Sequence, residues 1–222
     1  VYRVVPYGPN VTSCEGPADT VVIWVEPTVA VHAVDDTICN GAETNILVTS
    51  DNTTTNGIRY TWTVSADADI SGATGSTGSG QKIGTAIIQN LSNAALVAQK
   101  ATYTITPWTV GASGDNKCEG TSFTVDIWVE PTVEITASND TICDGDFTNI
   151  VVNSPNTTTN GIRYTWTVVD NPNIEGEENS AGQGNDITSP IVQELINTSN
   201  SKQLVQYTIT PWTVNASDNN EC

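Results

Sequence analysis

The sequence has no methionine, a single histidine, two phenylalanines and only 7 Lys and Arg against 25 Asp and Glu. The shortage of cations leaves a net charge of −18. Basic patches of the kind that hold nucleic acid or anionic lipid are thereby excluded, so neither is expected as a partner. No apolar run approaches ~18 residues, so no segment is long enough for a membrane-spanning helix, and no membrane insertion is expected. No signal-peptide pattern opens the chain. With methionine absent, residue 1 is expected to fall inside a longer polypeptide. Only 14% of residues are charged, while Thr, Ser, Asn, Val and Ile abound, a mixture suited to strands and polar turns.

What is present is present twice. NTTTNGIRYTWTV occupies Asn52–Val64 and again Asn156–Val168 without a change, 104 positions apart. The same offset carries CEG from Cys14–Gly16 to Cys118–Gly120, IWVEPTV from Ile23–Val29 to Ile127–Val133, DTIC from Asp36–Cys39 to Asp140–Cys143, and YTITPWTV from Tyr103–Val110 to Tyr207–Val214. An internal repeat of this kind is the first organising fact to take from a sequence. YRVVP at Tyr2–Pro6 reads as a diverged YTITP. Three units follow: 1–27, the C-terminal strands of a preceding truncated repeat; 28–131, a complete repeat; and 132–222, a second repeat lacking its last strand. EPT at Glu26–Thr28 and Glu130–Thr132 marks the boundaries, since proline cannot donate to a ladder and suits the gap between two strands.

Period-2 alternation places Ile58, Tyr60, Trp62 and Val64 on one strand face, after an Asn-Gly turn. Val29, Val31 and Ala33, then Tyr103 and Ile105, then Phe123, Val125, Ile127 and Val129 form further apolar faces. About seven strands per 104 residues, with no helical pattern, predict all-β architecture: tandem immunoglobulin-like antiparallel β-sandwiches arranged end to end. Tyr60 and Trp62 are expected in the core. Trp24, Trp108, Trp128 and Trp212 fall out of phase with these faces. The expectation is that Trp24 meets Trp108, and Trp128 meets Trp212, across junctions between neighbouring repeats; packing within a repeat and stacking on a glycan are the alternatives.

Five cysteines recur with the same period. Cys39 and Cys118 are 79 positions apart, as are Cys143 and Cys222, with Cys14 left over. The spacing favours one disulfide per repeat, Cys39–Cys118 and Cys143–Cys222, in an oxidising compartment. Strand parity argues instead for Cys39 beside Cys222 of the next repeat, a covalent staple across the junction, and both connectivities stay open. Zinc is disfavoured by the absence of any CxxC or Cys/His cluster.

Catalytic constellations do not recur. His32 corresponds to Thr136, so no base is available in every unit for nucleophilic catalysis. Asp67 and Asp69 correspond to Asn171 and Asn173, so that carboxylate pair is not retained. The chain is expected not to be an enzyme and to need no cofactor. Calcium is the one candidate ion, with Asp35, Asp36, Glu130, Asp218 and Glu221 as the oxygen ligands that a junction would gather.

As a set, DTICNG (Asp36–Gly41), RYTWTV (Arg59–Val64), the Ile87-x-Gln89-x-Leu91-x-Asn93 pattern, YTITP, CEG and WVEP resemble the PKD-like repeats of very large surface proteins of gliding, type-IX-secreting bacteria. The resemblance covers all 222 residues. It departs from the founding PKD pattern where Tyr60-Thr61-Trp62 runs into Thr-Val-Ser rather than an acidic Gly-Asp-Gly turn. It implies an extracellular, cell-surface stalk in an adhesin serving attachment and gliding motility. The implied partners are neighbouring repeats of the same chain and a surface polysaccharide. Asp-Thr-aliphatic is an O-glycosylation context in such bacteria, which marks Thr37 and Thr141 as candidate sites. The alternative is a glycan-binding or accessory module of a secreted multidomain protein.

Overall fold

Residues 1–7 and 16–222 are described by a computed structural model of the chain; Cys14 lies outside them. Among the described residues every regular element is a strand. The first hairpin pairs β1 (Tyr2–Val4) with β2 (Asp19–Val21), Tyr2 opposite Val21.

The first repeat holds β3 (Asp36–Ile38), β4 (Ile46–Leu47), β5 (Ile58–Ala66), β6 (Ile70–Ser71), β7 (Gln81–Lys82), β8 (Ala86–Ile87), β9 (Ser92–Asn93), β10 (Gln99–Val110), β11 (Asn116–Glu119) and β12 (Phe123–Val129). The second holds β13 (Thr136–Ala137), β14 (Val152–Asn153), β15 (Ile162–Val168), β16 (Ile174–Glu175), β17 (Asn185–Asp186), β18 (Ile196–Asn197) and β19 (Tyr207–Thr213). The register of β1 with β2 is that of β10 with β12, where Tyr103 faces Val125. Gly16 N donates to Pro6 O just as Gly120 N donates to Pro107 O. The opening hairpin therefore has the geometry of the last two strands of a repeat.

In the first repeat one sheet runs β3-β12-β10-β5-β7, with β11 also on β10, and β3 lies parallel to β12. The facing layer joins β4 to β8 and β6 to β9, extended by the bridges His32–Thr49 and Glu43–Asn90. Between them lie Tyr60, Trp62, Ala101, Tyr103, Ile105, Val125, Ile127 and Val129 from the first layer, and Val31, Ile46, Val48, Ile87 and Leu91 from the second. These are the faces that the alternation defines, because successive side chains of a strand point to opposite sides. The fold is the expected β-sandwich, in tandem.

The aromatic pair at the centre needs its polar atoms satisfied once buried. Tyr60 OH donates to Thr85 O at 2.7 Å, and Trp62 Nε1 donates to Thr74 O at 2.9 Å. The second copy repeats both bonds, Tyr164 to Ser189 O and Trp166 to Glu178 O. Burial pushes the Tyr60 and Tyr103 phenols up to about 12. The turn ahead of the strand depends on Gly57 and Gly161, whose φ values of 91° and 107° lie in the region open chiefly to glycine.

Candidate functional site

The region where sequence-distant side chains converge is the junction between the two repeats. Three sets of contacts build it. First, the loop after β9 adds a short main-chain pairing to the next repeat. Val97 bridges Thr157 in parallel, Thr157 N donates to Leu96 O at 3.0 Å, and Ala98 N donates to Thr157 O at 2.9 Å. Asn156 Nδ2 also donates to Leu96 O, at 3.2 Å.

Second, the linker carboxylate is used as a clasp. Glu130 is only 1% exposed, and its Oε1 accepts Thr159 N at 2.9 Å. Its Oε2 is buried without a partner. Burial raises the Glu130 pKa; the Thr159 bond opposes this, and the nearby Glu221 charge adds to it. Glu26 makes the corresponding bond one period earlier, accepting Thr55 N at 3.0 and 3.2 Å on its two oxygens. Around this clasp, Asn93 Nδ2 donates to Val129 O, and Asn40 Nδ2 donates to Thr132 Oγ1.

Third, Cys39 and Cys222, 183 positions apart in sequence, form a disulfide across the junction, with Cα atoms 5.5 Å apart. This corrects the expectation of Cys39–Cys118 and Cys143–Cys222 bonds within repeats. The reason is strand direction. Cys39 follows β3, which runs parallel to β12 and so ends beside the exit linker, Ile38 opposite Val129. Cys118 lies in β11 at the entry end, where Gly120 and Thr121 meet Val29. The two ends of one sandwich are too far apart to bond, whereas the exit of one repeat and the entry of the next adjoin. Cys118 and Cys143 are free and exposed. Closing a 183-residue loop stabilises the folded pair by about 5 kcal/mol in the chain-entropy picture.

The outlying tryptophans do not form the expected indole pairs. The ring contacts among the described residues are Tyr60–Trp62 and Tyr164–Trp166. Trp108 and Trp212 lie half-buried on the outer sheet face of their own repeats, each Nε1 donating at 3.0 Å to a threonine of the neighbouring strand, Thr61 and Thr165. Trp128 carries Lys100 Nζ 5.7 Å from its ring centre, and Lys100 in turn pairs with Asp126 at 2.8 Å. Trp24 is 78% exposed.

Nor are the five calcium candidates gathered into one ligand shell. Asp35 accepts Asp126 N, Asp36 accepts Thr37 N within its own strand, and Asp218 pairs with Arg163 at 2.6 Å. Glu221 lies near enough to Glu130 for its charge to add to the raised Glu130 pKa. No group of three or more His, Cys, Asp or Glu suited to a metal occurs among the described residues. Thr37 is half-buried in β3 opposite Trp128, and Thr141 is exposed outside any strand. His32 is exposed, 3.6 Å from Asp51.

The residues missed by reading the sequence alone are Leu96–Ala98, Thr55 and Thr159, and the clasping role of Glu26 and Glu130. A signal for them existed. Core packing explains IRYTWTV, but it does not require NTTTN to be identical at every polar position, and that turn is what the neighbouring linker grips.

No described helix is long and apolar enough to cross a membrane. Comparison with curated proteins gives no match. The model of the PKD-like domain, by contrast, matches residues 36–133 and again 140–221. Domains of this kind, carrying a disulfide, are typical of extracellular proteins and point to a structural or adhesion-type module. The match covers most of the chain in two successive copies, in phase with the 104-residue period, so the chain belongs to the PKD-like domain family.

Proposed function

We propose that these repeats are the non-enzymatic stalk of a large bacterial cell-surface adhesin, holding a distal binding region away from the cell for attachment and gliding. The observation that carries the reading is the junction. Main-chain pairing at Val97–Thr157, the buried Glu130 clasp and the Cys39–Cys222 bond fix the direction of one repeat on the next. A catalytic or ligand-binding module has no need of such a joint, whereas a spacer depends on it. Each repeat adds roughly 40 Å, the length of a 12-residue strand such as β10 at ~3.3 Å per residue. The acidic surface keeps neighbouring stalks apart. Deleting whole 104-residue periods from the parent protein in cells should lower surface attachment while export continues. Undiminished attachment after such deletion overturns the proposal.

A second reading, contact with a surface polysaccharide, draws on Trp108 and Trp212, which occupy equivalent half-buried outer-face positions one period apart. A glycan array probed with the 222-residue chain and its Trp108→Ala and Trp212→Ala variants tests it: binding lost in both variants supports that reading, and no binding by the parent chain ends it.

A further inference from the structure

Among the described residues the Cys39–Cys222 bond leaves two exposed thiols, Cys118 and Cys143. Under the 104-residue shift Cys143 is the counterpart of Cys39, and Cys118 is the counterpart of Cys222. The formed bond therefore shows what each free thiol is the half of. Their placement agrees. Cys118 stands in β11 at the entry end of the first repeat, two residues before Gly120, which meets Val29, and Cys143 follows DTI at the exit end of the second. A partner repeat before the first would present a DTIC cysteine to Cys118, and one after the second would present a CEG cysteine to Cys143.

We infer that Cys118 and Cys143 are the half-sites of two further staples to flanking copies of this repeat, and that the overlapping staples make a run of repeats inextensible. The overlap follows from length. Each staple spans 183 residues, but the period is 104, so every staple begins before the previous one ends. The shortest covalent route along such a run crosses a disulfide, follows the chain from a CEG cysteine to the next DTIC cysteine, and crosses another disulfide. That connecting stretch is the 25 residues from Cys118 to Cys143, once per two repeats. Fully extended, 25 residues reach about 80–90 Å. Two folded repeats occupy roughly 80 Å, from the strand length above. A stapled run under tension thus has almost no hidden length to release, even if every sandwich unfolds. From each sandwich on it the shortest load path takes only the closing strand at Phe123–Val129 and the DTIC segment, so tension falls on these, on the EPT linker and on the S–S bonds.

Each closure joins two thiols into one disulfide. The two protons and two electrons given up convert the disulfide of a thiol–disulfide oxidase to its dithiol. The inference rests on the stalk reading for its purpose, but not for its chemistry.

Two measurements test it. The 222-residue chain is lengthened by repeating residues 119–222 once at its C-terminus, oxidised, blocked with a thiol reagent and mapped without reduction. The expected result is a Cys143 bond to the appended counterpart of Cys222, with Cys143 lost from the blocked pool and Cys118 still in it. A Cys143–Cys222 bond, a free Cys143 or disulfide-linked dimers overturn the inference. Separately, the 222-residue chain is pulled from its termini. With Cys39–Cys222 closed, only residues outside the loop extend; reductant should release roughly 600 Å more, from 183 residues at ~3.3–3.6 Å each. Release of that length without reductant shows that the staple bears no load and overturns the mechanical part. Both results are independent of cell attachment, so the stalk reading and the staple register fail separately.

Discussion

The two repeats carry the same core sequence and do not bury it equally. In the first, β10 lies between β5 and β12, and Tyr103 and Ile105 are wholly buried. In the second, β19 pairs with β15, and its other edge carries no strand among the described residues. Tyr207 and Ile209, the counterparts of Tyr103 and Ile105, are only partly buried. Where β12 sits in the first repeat, the second has a groove of about 780 Å³ whose lining includes Asp140–Cys143, Leu195, Tyr207 and Ile209. The difference teaches that the repeat's core is completed by one strand, Phe123–Val129, whose inward Val125, Ile127 and Val129 close the sandwich while its outward end leads into the clasp.

Four changes sharpen or break that comparison. The largest effect is expected from Cys222→Ser, which opens the 183-residue loop. Denaturant unfolding followed by tryptophan fluorescence should show a loss of about 5 kcal/mol, falling mainly on the weaker second repeat. Next, Leu91→Ala in the closed core should cost about 3–5 kcal/mol. Leu195→Ala, at 9% exposure beside the groove, should cost visibly less, because its surroundings can relax into the open space. Equal losses would show that the groove is not open in solution.

A peptide of residues 122–130 should then occupy the groove as a β12 substitute, slowing amide exchange in Tyr207–Thr213 and leaving β10 unchanged. At a hundredfold excess over its Kd it adds about 2.7 kcal/mol to the second repeat. The smallest effect is expected at Glu130. Its folded pKa is raised, mainly by burial, so its contribution favours folding below the ordinary value of 4.5 and is lost as pH rises through the raised value. Glu130→Gln keeps an oxygen for Thr159 N and removes the charge near Glu221. It should strengthen the junction at neutral pH, with the gain vanishing in acid, as read from thermal unfolding across pH.

Most of the sandwich was legible because a half-buried strand writes itself as alternation. Ile58, Tyr60 and Trp62 point inward, and Arg59 and Thr61 do not, whichever repeat they occupy. The junction was legible only in part. The cysteine spacing of 79 invited an intra-repeat bond, and direction along the sandwich, which spacing does not encode, decided for 183. The calcium candidates lie apart for a related reason: Asp35 accepts Asp126 N and Asp218 pairs with Arg163, both distant in sequence, while Asp36 accepts the N–H of its neighbour Thr37.

DTIC shows the division most sharply. The sequence alone determined the period, the apolar faces, the glycine turn at Asn56–Gly57 and the tandem arrangement, since all of these depend on local pattern. The same four residues form β3 and its bonded cysteine at Asp36–Cys39, but no strand and a free thiol at Asp140–Cys143. Only tertiary structure decides that, because a strand at the edge exists by virtue of the partner that receives its hydrogen bonds, and a disulfide by virtue of the neighbour that brings its second sulfur within reach.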